Sequence, residues 1–123
     1  MTKNFILIAV VFGFLGVALG AFGAHGLEAT LEENGRIDTF ETAAKYQMYH
    51  AVAMLGVAWL TTQYSSVWIK RAGYLITAGT IIFAGSLYIL AIADISFMGA
   101  IAPIGGTCLL AGWASIGLGV WKS

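Results

Sequence analysis

Charge is what this chain has least of. Charged residues make up 10% of its 123 positions, against roughly 25% in soluble domains. Lys and Arg balance Asp and Glu at six each, so no basic field exists to hold a nucleic acid. The single cysteine, Cys108, excludes an internal disulfide. It falls among small residues and reads as packing rather than as a nucleophile. The single proline, Pro103, lies in the last apolar run. There it would kink a helix whose neighbours satisfy the freed carbonyl. Catalytic motifs are missing as well. Ser86 has no local histidine or acid in a catalytic arrangement. Gly105-Gly106 has neither the strand nor the lysine of a phosphate loop.

What the chain has instead is apolar length. Hydrophobic residues make up 59% of it. Phe5 to Ala24, Tyr46 to Tyr64, Ala72 to Ala93 and Ile95 to Trp121 contain no Asp, Glu, Lys or Arg. A hydrocarbon core about 30 Å thick takes roughly 20 apolar residues of helix to cross. The pattern predicts an all-α membrane protein, with four transmembrane helices in one compact bundle over residues 1–123. The spans are expected at about 5–24, 46–64, 72–93 and 99–121, with an outer loop at about 25–40. The first run is too long for a signal peptide, whose apolar region runs about 7–15 residues.

Orientation follows from the cations. With both termini inside, the inner segments carry Lys3, Lys70, Arg71 and Lys122, and the outer ones only Arg36 and Lys45. The positive-inside rule therefore places both termini in the cytoplasm of a plasma (inner) membrane. The outer loop should hold a short helix, Leu27 to Glu33, broken by Asn34-Gly35. Asp38-Thr39-Phe40-Glu41 fits a capping box, which predicts that the second long helix begins near Thr39.

Small residues form stripes. Ala9, Gly13, Gly16, Gly20 and Gly23 keep one face of the first span flat, and Gly105, Cys108, Gly112, Ser115 and Gly119 do the same in the fourth. In lipid, helices associate through such close approach. Gly73, Thr77, Thr80 and Ala84 form a weaker stripe on the third span, with hydroxyls able to bond across helices. Packing within the chain is the plain reading. A homo-oligomer or a larger membrane complex is the sharper one.

Polar residues in a membrane each call for a reason. His25 closes the first span, Tyr46, Gln47 and His50 share a face of the second, and Asp94 ends the third. All fall toward the outer side, which makes one cluster an expectation. Three readings fit it: a structural hydrogen-bond node, a cleft for a small ligand or ion, or a metal or haem site on the two histidines. No motif calls for a resident metal or cofactor. Trp68, Trp121 and Tyr64 read as inner-boundary anchors, and Trp113 as mid-span packing.

Five segments occur in order: Ala21-Phe22-Gly23-Ala24-His25-Gly26-Leu27, Tyr46-Gln47-Met48-Tyr49-His50, Gly85-Ser86-Leu87-Tyr88, Pro103-Ile104-Gly105-Gly106 and Gly112-Trp113. Together they resemble the domain-of-unknown-function 423 family of small bacterial inner-membrane proteins. The resemblance implies a four-span membrane protein and transfers no activity and no catalytic residue. The sequence thus predicts a non-enzymatic structural or interaction component of the membrane. The alternatives are a binding or transport protein using the outer cluster, and a metal- or haem-binding redox subunit.

Overall fold

The computed structural model describes all residues from Met1 to Ser123 and is helical throughout. Helix α1 spans Thr2–Ala18 and runs on through a π-helical turn, Leu19–Gly23, and a last turn, Ala24–Gly26. The other helices are α2, Glu28–Asn34; α3, Ile37–Gln63; α4, Val67–Ala93; and α5, Met98–Trp121. Of 102 backbone–backbone hydrogen bonds, 89 close inside these helices. Lipid imposes that economy, because it offers no partner to an open N–H or C=O.

Three segments are long and apolar enough to cross a membrane: Thr2–Gly26, Val67–Ala93 and Met98–Trp121. Helix α3 is as long as α4, 27 residues, but less apolar. Its first turns hold Asp38, Glu41 and Lys45, and Tyr46, Gln47, Tyr49 and His50 follow.

The outer loop is more ordered than a loop. Gly35 adopts φ 66°, a left-handed conformation that glycine reaches without a Cβ penalty, and it ends α2. Asn34 Nδ2 then donates to the carbonyls of Ala91 and Ile92, at 3.0 and 3.2 Å. It caps the open end of α4, so the loop is tied to the bundle it leaves. The expected capping box does not form. Helix α3 starts two residues before Thr39, at Ile37, and no side chain caps it. Asp38 lies inside the first turn, where its backbone carbonyl accepts from Thr42 Oγ1.

The helices run alternately up and down. At one end, Thr2 and Thr61 hydrogen-bond through their hydroxyls at 2.6 Å. Arg71 and Lys122 lie over the Trp68 ring at 4.9 and 5.6 Å, at that same end. Both termini therefore share one end of the bundle, and Asn34, Arg36 and Asp94 mark the other. Helix α1 packs on α3, α3 on α4, and α4 most extensively on α5. Phe5, Phe12, Met54, Ile69, Ile76 and Leu109 belong to the main core. A smaller core of Leu31, Phe40 and Ala91 seats α2.

The closest approach is between α4 and α5. A Cβ at Gly105 would overlap the backbone of Phe83. One at Gly112 would come within 2.6 Å of Ile76, and one at Gly119 within 2.6 Å of Ile69. Both series step by seven residues, in opposite directions, as an antiparallel left-handed pair requires. Helix α1 meets α3 more loosely except at Gly16, where a Cβ would press on the Met48 side chain. A Cβ at Gly13 or Gly20 would lie 3.9 Å from Ala51 or Ala44, and one at Gly23 3.3 Å from Phe40. Both stripes face inward, onto this chain. Of the third stripe's hydroxyls, Thr77 Oγ1 bonds to Gly73 O in its own helix and reaches Met54 Sδ across on α3 at 3.7 Å, and Thr80 Oγ1 has no partner.

Candidate functional site

The central polar residues lie on one face of α3 and reach different neighbouring helices. Gln47 is 5% exposed. Its Nε2 donates to Phe12 O on α1 at 2.9 Å, and its Oε1 accepts from the Tyr88 hydroxyl on α4 at 2.6 Å. One carboxamide joins three helices. Beside it, a Cβ at Gly16 would be in ordinary contact with Nε2 at 3.6 Å but would press on Met48 Sδ at 2.5 Å.

His50, one turn further along, reaches α5. Its Nδ1 is 2.7 Å from Tyr46 O, and its Nε2 is 3.1 Å from Trp113 Nε1. A carbonyl only accepts and an indole N–H only donates. The partners therefore assign the proton to Nδ1 and leave Nε2 as acceptor. Both ring nitrogens are engaged. Tyr46, 40% exposed, stacks on His50 at a 6.3 Å centroid separation and meets Phe83 at 5.0 Å.

The expected single cluster does not assemble. His25 is exposed and lines a separate outer pocket of about 200 Å³ with Glu28, Phe40 and Glu41. Asp94 pairs with Arg36, Nε to Oδ1 3.6 Å, and neither lines the His25 pocket. Positions 47 and 50 are only about 60° apart around α3, yet Gln47 finds its partners on α1 and α4 and His50 finds Trp113 on α5. The two histidines line different pockets. His25 and His50 do not converge, and Trp113 holds the His50 lone pair. Nowhere do three metal-ligating side chains group together.

Two side grooves flank α3 and α4. One, about 360 Å³, lies between α1 and α4 and is lined by Phe12, Leu15, Gln47, Thr80, Gly85 and Tyr88. The other, about 440 Å³, runs along α5 and is lined by Tyr46, His50, Phe83, Thr107 and Trp113. Sequence reasoning passed over Tyr88 and read Trp113 as packing. Both carry a polar tip on an aromatic body within an apolar run, and such a tip needs a partner when buried. That signal was present. Which helix supplies the partner was not.

Comparison with known proteins agrees with these features. The family model "Protein of unknown function (DUF423)" matches residues 19–106, which take in Gln47, His50 and Tyr88. The chain is 41% identical over 115 residues to the UPF0382 membrane protein YwdK of Bacillus subtilis (strain 168), covering 93% of each. It is 40% identical over 117 residues to the UPF0382 inner membrane protein YgdD of Escherichia coli (strain K12), covering 93% of this chain and 87% of that one. No solved structure matches it. With a helical bundle, three segments long and apolar enough to cross a membrane, and near-full-length relatives named as membrane proteins, the chain belongs to the DUF423 family of membrane proteins of unknown function.

Proposed function

We propose that the protein is a non-enzymatic, four-span component of the bacterial inner membrane, with both termini in the cytoplasm. The observation that carries this reading is Gln47. Its carboxamide engages both α1 and α4, which is the work of a node that fixes helix positions. His50 is engaged in the same way, with Tyr46 and Trp113 on its two nitrogens. Polar atoms committed to such bonds are poorly placed to ligate or to transfer protons.

The packing of α3 supports counting it as a fourth span. It runs beside α1 and α4, and it turns Val52, Leu55 and Trp59 outward. At 27 residues it is about 40 Å long. Hydropathy undercounts it, because Gln47 and His50 point inward. The orientation rests on Lys3, Lys70, Arg71 and Lys122, which occupy the end that holds both termini.

Two experiments test the proposal. Purification in mild detergent with mass measurement should give a homo-oligomer or a complex with another membrane protein. A strict monomer without a partner counts against an interaction role. For topology, a reporter fused at Ser123 should read as cytoplasmic. An impermeant thiol probe should label Glu33→Cys from outside, in a Cys108→Ala background. Glu33 is exposed, whereas neighbouring Asn34 caps α4. Labelling of Glu33→Cys only after lysis would invert the orientation.

A further inference from the structure

Two cations from different helices meet at the end of the bundle that holds both termini, and no anion of the chain pairs with them. Arg71, on α4, lies over the Trp68 ring at 4.9 Å, and Lys122, at the end of α5, lies over the same ring at 5.6 Å. Both side chains are exposed. The acidic side chains are Glu28, Glu32, Glu33, Asp38, Glu41 and Asp94, all toward the opposite end. The one ion pair, Arg36 with Asp94, is there too, so the Ser123 carboxylate pairs with neither cation.

The backbone adds charge of the same sign. Helix α4 opens at Val67, and its first turn holds no acid. A helix N-terminus carries positive partial charge and favours an acid beside it. Lys70 and Arg71 stand there instead. Cation–π attraction gathers Arg71 and Lys122 at Trp68. It leaves the five N–H donors of the guanidinium and the three of the ammonium in want of an acceptor oxygen.

Position narrows which anion fits. Tyr64 and Trp121 lie at the same end as Trp68, and amphipathic rings of this kind sit at head-group level. Trp121 is 84% exposed. Next to the two cations, Tyr74 on α4 and Val120 on α5 turn outward toward lipid. A matching ligand carries its negative charge at the membrane face and hydrocarbon below it. A phospholipid does both, whereas a free anion would leave the apolar flank unused.

We propose that Trp68, Arg71 and Lys122 form a head-group site for an anionic phospholipid. Arg71 grips the phosphate with its planar fork, and Lys122 adds a point charge. The site requires that α4 and α5 cross the bilayer, and it holds whichever side their shared end faces. It can therefore fail without the oligomeric role failing, and the reverse.

The test uses the full chain in micelles doped with phosphatidylglycerol, or with phosphatidylcholine of the same acyl chains. Native mass spectrometry counts the lipids retained. One phosphatidylglycerol should stay bound at concentrations where phosphatidylcholine does not. Arg71→Gln should weaken its binding about fivefold, the worth of one basic residue at an anionic surface. Trp68→Leu keeps every charge and should also weaken it, because the cations lose their common anchor. Lys3→Gln removes a charge at the same end, on α1, and should leave binding unchanged. If Trp68→Leu unfolds, Arg71→Gln against Lys3→Gln decides. Equal losses in those two variants would reveal a diffuse field in place of a site and overturn the proposal. Equal retention of the two lipids would overturn it as well, as would displacement of the lipid by an equal concentration of glycerol phosphate.

Discussion

Trp113 donates its indole N–H to Nε2 of His50 at 3.1 Å. The bond joins α5 to α3, two helices that share no extensive backbone packing. It is a polar clasp over a groove that is otherwise aromatic and open to lipid.

Trp113→Phe keeps an aromatic body and removes the donor. It should destabilise the protein by about 1 kcal/mol, within the range of polar contacts in membranes. A double-mutant cycle with His50→Leu, read by denaturation in detergent, should show coupling of about 0.5–1 kcal/mol. Zero coupling would mean that the contact carries no energy.

Gln47→Leu removes a bond to each of two helices and leaves the Tyr88 hydroxyl and one Phe12 lone pair facing apolar surroundings. A loss of about 1–3 kcal/mol is expected. Adding Tyr88→Phe should recover part of it, because the stranded hydroxyl is then gone. A double variant weaker than either single one would show that the tyrosine has another partner.

The two glycine interfaces should differ in tolerance. Gly105→Ala drives a methyl into the Phe83 backbone, which cannot move aside as a flexible side chain would. Overpacking of this kind costs about 1–3 kcal/mol. Gly13→Ala finds ordinary contact with Ala51 at 3.9 Å, and should be neutral or stabilising by up to about 1 kcal/mol through helix propensity. Thermal unfolding of the two variants in the same detergent compares them directly. Equal losses would refute the register between α4 and α5.

Asp94 has φ 53°, the one non-glycine residue in the left-handed region. Its ion pair with Arg36 is half-exposed and worth about 0–1 kcal/mol. Asp94→Gly loses that pair but relieves the backbone, so stability should change by less than about 0.5 kcal/mol. Asp94→Ala loses the pair and keeps the strain. It should fall about 1 kcal/mol below Asp94→Gly in the same unfolding assay.

The sequence by itself determined the solvent. Uncharged runs as long as Phe5 to Ala24 and Ala72 to Ala93 cannot be hidden in a domain of this size, and they become helices because lipid leaves the backbone no other partner. It also determined where α2 stops, since Asn34-Gly35 carries its own local geometry. The start of α3 was legible to within two residues, but its cap was not: the helix begins at Ile37, Asp38 falls inside the first turn, and no side chain caps it. The polar site was legible only as a set of residues. Helical spacing places Gln47 and His50 near each other along α3, but it does not say which neighbour fills each sector around that helix. Only the tertiary packing decided that Gln47 meets Phe12 and Tyr88, that His50 meets Trp113, and that the buried Thr80 hydroxyl finds no hydrogen-bond partner. Periodicity is a property of one helix, whereas partnership depends on the rotation and register of several, which no single run of residues contains.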